Sequence, residues 1–259
     1  MKKECPIGLF DSGVGGTSIW NEIHNLLPNE NTIYLADSKN APYGQKSKEE
    51  IIDLSFKNTE FLLNQNCKII VVACNTATTN AIKELRTKYD VPFIGIEPAI
   101  KPAALQSKTQ TIGILATKGT LNSELFHKSV ANHPDVKIIE QIGHGLVQLI
   151  ENGDIDAAEM EELLKSYLNP MVEKNIDYLV LGCSHYPYLI PQIKKIIPPK
   201  IKIIDSGEAV AKQTQKILEQ NNLLNLSKSK SSQIFYTNGE PEVLKNILGN
   251  NKTVIYKNF

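Results

Sequence analysis

Lys68-Ile69-Ile70-Val71-Val72-Ala73-Cys74-Asn75-Thr76-Ala77-Thr78-Thr79 decides the reading of this chain. Its unbroken apolar run, rich in β-branched residues, reads as a strand buried on both faces, as in a parallel sheet. The run stops at a cysteine, an amide and hydroxyls, and a helical pattern follows. Cys74 is therefore expected at the carboxyl end of a strand, where open α/β sheets keep their ligand crevices. Asn75 and Thr76 fall in the first turn of the next helix, whose free N–H groups attract anions. The design recurs at Tyr178-Leu179-Val180-Leu181-Gly182-Cys183-Ser184-His185-Tyr186-Pro187.

Outward from these two stretches, the chain alternates strands with helices. Ile7 to Phe10 reads as a strand, Asp11-Ser12-Gly13-Val14-Gly15-Gly16 as a glycine-rich turn, and Thr17 to Leu27 as a helix closed by Pro28. The glycines do not fall as Gly-x-Gly-x-x-Gly, nor does Gly-Lys-Ser/Thr follow, so neither nucleotide fingerprint is present. The turn reads either as a tight strand-to-helix connection or as a backbone nest for a carboxylate, with Asp11 and Ser12 facing the crevice. Strands are expected at 32–36, 92–98, 112–116 and 233–237, and helices at 48–64, 156–174, 208–220 and 241–248. The stretch from Gly143 reads as a short helix closed by Gly153, and the polar stretch 221–232 as a mobile loop.

Landmarks repeat in the same order. Gly8 and Gly113 lie 105 positions apart, Cys74 and Cys183 109, and Glu97 and Asp205 108. An internal duplication accounts for this. The expected fold is α/β: two pseudo-symmetric α/β domains with mainly parallel sheets and an active site at their interface. Residues 1–97 with 208–259 would form the Cys74 domain, and residues 98–207 the Cys183 domain.

The 259 residues carry 28 Lys+Arg and 28 Asp+Glu, a net charge of +0 that argues against nucleic acid as the main partner. No apolar run approaches the about 20 residues of a membrane span. Ile7 to Phe10 is also too short for a signal-peptide core, so a cytoplasmic protein with no membrane partner is expected. Four cysteines, none in a Cys-x-x-Cys pair, read as reduced thiols, Cys5 and Cys67 being small core hydrophobes.

Cys74 and Cys183 stand apart because they recur at matched positions, each leading into a helix N-terminus that can lower a thiol pKa toward neutrality. A disulfide switch lacks its resolving pair. A zinc site from Cys74, Cys183 and His185 has poor spacing and no fourth ligand, so no metal is expected. A cysteine hydrolase leaves one thiol unexplained. Two-base proton transfer uses both, one thiolate removing an α-proton and the opposite thiol returning one. Ser12, Asn75 or Ser184 would bind the substrate carboxylate. His185, two residues past Cys183, reads as a proton relay or as a packed core histidine.

At these residues the chain resembles the glutamate racemases, cofactor-independent enzymes that make D-glutamate for peptidoglycan. The likeness rests on Phe10 to Gly16, Ala41-Pro42-Tyr43-Gly44, Ala73 to Thr78, Ala116 to Thr120, Gly182 to Pro187 and Asp205-Ser206-Gly207. It implies glutamate as substrate, no cofactor, and Cys74 and Cys183 as the proton donor and acceptor. It places Asp11, Ser12, Tyr43, Gly44, Asn75, Thr76, Ser184 and His185 around the substrate, with Asp11 near one thiol, His185 near the other, and Glu151 supporting His185. Ser184 stands where the family usually has Thr. An aspartate or hydantoin racemase and a non-catalytic amino-acid binding module are the alternatives, and a homodimer is left open.

Overall fold

The β-branched runs become strands because their side chains pack on both faces of parallel sheets. The computed structural model describes residues 2–227, 230–249 and 252–259. In chain order the first elements are β1 (Ile7–Asp11), α1 (Thr17–Leu26), β2 (Thr32–Ala36), α2 (Lys48–Asn64), β3 (Ile69–Val72), α3 (Asn75–Lys88) and β4 (Phe93–Gly95). There follow α4 (Ile100–Gln106), β5 (Thr111–Ala116), α5 (Lys118–Leu121), α6 (Glu124–Ala131), β6 (Lys137–Ile142) and α7 (Leu146–Asn152). The chain continues through α8 (Ala158–Glu173), β7 (Tyr178–Gly182), α9 (Ile190–Ile196) and β8 (Lys202–Ile204). It closes with α10 (Gly207–Gln220), β9 (Gln233–Thr237), α11 (Pro241–Leu248) and β10 (Val254–Tyr256).

Two sheets form, ordered β10-β9-β2-β1-β3-β4 and β6-β5-β7-β8, and every pairing is parallel. The order β2-β1-β3-β4 in the first is the order β6-β5-β7-β8 in the second. Phe10 pairs with Val72, and Leu115 with Leu181, so Cys74 and Cys183 each sit two residues beyond the partner of a matched position. β1, β3 and β7 are buried throughout, and α1 lays Ile19, Trp20 and Ile23 into the same core.

Three expectations need correction. β6 and β10, with the short helices α4, α5 and α6, were not foreseen; both strands lie at sheet edges and carry half-exposed, mixed faces rather than an apolar run. The repeat held the signal for β6, since Thr32 and Lys137, the first residues of β2 and β6, are again 105 apart. Cys183 does not cap an α-helix: a turn and a 3-10 segment, Tyr186–Leu189, intervene before α9. Pro187 contributes to this, since it lacks the N–H a regular helix would use. The third correction concerns 221–232, of which 228 and 229 lie outside the described residues. The remainder is anchored at several points rather than free. The Asn225 N–H donates to Glu30 Oε1 at 2.8 Å and Ser231 Oγ to the Pro28 carbonyl at 2.7 Å. Glu30 is itself held in a buried ion pair with Lys68 at 2.5 Å, and Lys68 also donates to the Leu223 carbonyl. Extra hydrogen bonds of this kind are what a buried ion pair needs to offset desolvation.

Candidate active site

Cys74 is the N-cap of α3, in extended backbone conformation, and its sulfur accepts the Ala77 N–H at 3.4 Å. The thiol donates to Ser12 Oγ at 3.6 Å. Helix N-termini favour a thiolate, yet here the pKa of Cys74 is pushed well up. Burial is the largest cause and the Asp11 carboxylate the next, and together they outweigh the Ala77 and Ser12 hydrogen bonds. The expected lowering toward neutrality is therefore reversed in this closed pocket. Beside Cys74, both ends of the Asn75 amide are buried and find no hydrogen-bond partner among the described residues. A buried polar group normally has one, so this amide is a ready recognition element.

The second thiol has a charged neighbourhood. Cys183 Sγ lies 3.8 Å from His185 Nδ1, and the opposite ring nitrogen, Nε2, meets Glu151 Oε1 at 2.5 Å. Burial alone would lower the His185 pKa. Its bonds to Cys183 and Glu151 and the nearby Asp11 charge overcome that and raise it well above the ordinary value. These partners favour the protonated ring. Ser184 Oγ donates to Asp11 Oδ1 at 3.0 Å. Burial raises the Asp11 pKa, with His185 pulling it back.

The glycine-rich turn is a nest, but for the chain's own carboxylates. Asp11 Oδ2 accepts the Gly13 and Gly16 N–H groups at 3.1 and 3.0 Å, and Glu151 Oε1 accepts the Val14 N–H at 2.6 Å. A Cβ on Gly13 would stand 1.9 Å from Glu151 Oε1, and one on Gly15 would stand 2.2 Å from His185 Nδ1. These glycines are there to let the second half's acid and imidazole approach the first half's backbone.

Nine of the predicted residues line one buried cavity. Ser12, Tyr43, Gly44, Cys74, Asn75 and Thr76 come from the side of the larger sheet, and Cys183, Ser184 and His185 from that of the smaller. Asp11 and Glu151 stand behind this lining, joined to it through Ser184 and His185. Two hydroxyls are already engaged. Tyr43 donates to buried Asp37, and Thr76 Oγ1 shares a hydrogen with Thr117 Oγ1 at 2.8 Å. Asp37 also accepts from Asn40 and Asn238, which ties the chain's last segment to the Tyr43 loop. Sequence reading missed Pro42, Thr117 and Val147 in the lining, and Asp37 and Asn238 behind it. Thr117 was within reach, because it lies 105 positions after Ser12. A far larger cavity, about 730 Å³, opens nearby, but it holds neither thiol. Among the described residues, no cluster of three or more His, Cys, Asp or Glu is arranged to hold a metal ion.

Residues 7–214 match the Asp/Glu/Hydantoin racemase family. The chain belongs to that family. A glutamate racemase of Herpetosiphon aurantiacus is 43% identical over 240 residues, covering 92% of this chain and 94% of the relative. The crystal structure of a Francisella tularensis glutamate racemase in complex with D-glutamate superposes with a TM-score of 0.85 at 30% identity, covering 99% and 98% of the two chains. The Escherichia coli glutamate racemase, solved with L-glutamate and an activator, gives 0.86 at 33% identity, covering 97% of each. In this family member the Ser184 hydroxyl still reaches Asp11, a bond that does not need the methyl group of a threonine.

Proposed function

We propose that this chain is a glutamate racemase in which Cys74 and Cys183 exchange protons with opposite faces of the substrate α-carbon. The observation that carries the assignment of roles is that both thiols, one from each sheet, line a single buried cavity. One cysteine, as thiolate, takes the α-proton and becomes a thiol. The other, as thiol, gives its proton to the opposite face of the carbanion and becomes the thiolate. Reversal of these roles converts the other enantiomer. The unpartnered Asn75 amide and the N-terminal turn of α3 receive the α-carboxylate, where charge develops as the proton leaves. Ser12 sets the Cys74 thiol, and His185, held by Glu151, sets the charge beside Cys183. Asp11 orients Ser184. Tyr43, Gly44 and Thr76 shape the wall. No cofactor enters this scheme.

Two units follow from the same reading: residues 1–97 with 208–259, and residues 98–207. Pairing of β9 with β2 and packing of α10 beside α1 support the first. The enzyme would work in the cytoplasm, as one chain or a homodimer, supplying D-glutamate for peptidoglycan and so for cell shape.

Incubation with L-glutamate in D2O, without added cofactor, tests the activity. Optical rotation and the α-proton NMR signal are expected to disappear together, leaving α-deuterated racemate. Turnover of aspartate or a hydantoin in place of glutamate would reassign the substrate. Tight glutamate binding without any exchange would make the protein a binding module.

A further inference from the structure

The cavity of about 730 Å³ is lined by Lys46, Lys48, Lys83, Lys118 and Lys128. Only two carboxylates, Glu84 and Glu124, share the wall. Lys128 is paired with Glu124 at 2.7 Å, whereas Lys46, Lys48, Lys83 and Lys118 make no ion pair among the described residues. In a chain whose formal charge is +0, this opening is therefore a local positive surface. Concave basic surfaces focus field lines and concentrate anions.

Its position gives the charge a use. Gly44 lines this cavity, a smaller one of about 50 Å³, and the thiol pocket itself. Lys118 lines the first two, and its neighbour Thr117 lines the second and the thiol pocket. The three spaces are thus neighbours that share lining residues, with the lysines at one end and the cysteines at the other. Between them the two halves touch closely. A Cβ on Gly119 would stand 3.2 Å from the Gly44 Cα, and Asn80 Nδ2 donates to the Gly119 carbonyl at 3.1 Å.

We propose that the five-lysine cavity is an outer anion-binding site that collects the dicarboxylate substrate before it passes Gly44 to the thiols. This rests on the glutamate reading above. Glutamate carries two carboxylates and one ammonium at neutral pH, so a basic vestibule raises its local concentration and favours it over a neutral amino acid of similar size. The unpaired ammonium groups supply attraction without demanding one geometry, which suits a ligand that must move on.

The experiment is a salt series on the double charge reversal Lys83→Glu/Lys118→Glu, with Lys83→Gln/Lys118→Gln as the neutral counterpart. Near 0.01 M ionic strength, where the Debye length is about 30 Å, the reversal should lower kcat/KM for glutamate by about tenfold or more. The neutral variant should fall between it and wild type, and the change should be carried by KM. At 1 M, where the Debye length is about 3 Å, the three proteins should converge. Equal low-salt kcat/KM in all three, or a deficit unaltered by salt, overturns the proposal. If the wild type turns over no glutamate, that failure belongs to the function proposed above. The same salt series on glutamate binding by calorimetry then decides the vestibule.

Discussion

The two halves present their cysteines at matched places and surround them differently. Cys74 caps a helix, faces the neutral Ser12 hydroxyl and is driven toward its protonated form by burial and by Asp11. Cys183 precedes a turn and faces His185, whose ring is braced by Glu151. Two residues beyond the thiol the first half has Thr76, bound to Thr117, where the second has His185. A repeat can place two thiols symmetrically while long-range contacts make them chemically unequal. For a reaction with an equilibrium constant of one, that inequality cannot favour either product; it can only decide which proton transfer limits the rate.

The largest expected effect tests whether both halves are needed. Cys74→Ala and Cys183→Ala should each lower racemisation by about 10³-fold or more, the scale of losing a positioned acid or base. Each variant should retain α-deuterium exchange with at most one enantiomer, and the two variants with opposite ones. Full activity in either, followed by circular dichroism of glutamate, would break the two-base scheme.

A smaller change sharpens the difference between the halves. His185→Asn should reduce kcat/KM by about 10²-fold, equally in both directions because the enantiomers are equally stable. Primary deuterium effects should become unequal, larger for the enantiomer whose α-proton goes to Cys183. The same substitution at Thr76 should leave those isotope effects balanced. Equal isotope effects in His185→Asn would mean that the imidazole does not serve the Cys183 transfer.

The smallest effect is in stability. His185 has a folded pKa raised above its unfolded value of about 6.5. Its contribution is therefore fully present below about pH 6.5 and is lost as pH rises through the folded pKa. Wild type should exceed His185→Asn by about 1–3 kcal/mol at pH 6, the scale of leaving a buried partner unsatisfied. Denaturant melts should show the gap narrowing toward alkaline pH. A gap that widens with pH would mean that the ring is neutral in the fold.

Much of this was legible in the chain itself. Ile69 to Val72 and Tyr178 to Gly182 carry enough apolar, β-branched density to be strands wherever they pack. Ser47 and Glu50 form a capping box that starts α2 where the sequence pattern places it. β6 and β10 were not legible, because an edge strand needs no apolar run. The long-range partner of Asp37 was hidden too, since Asn238 lies far away in the chain.

The sequence by itself determined the alternating α/β order, the repeat, and two cysteines at strand ends beside hydroxyls and amides. Those follow from local periodicity and from residue types. Tertiary structure alone decided what each thiol meets. Glu151 reaches Val14 across the two halves while it also holds His185 within its own, and the glycine turn directs its N–H groups to Asp11 and Glu151. The pKa of Cys74 follows the same rule: the helix N-terminus is local, whereas the desolvation that outweighs it exists only when both sheets close over the pocket.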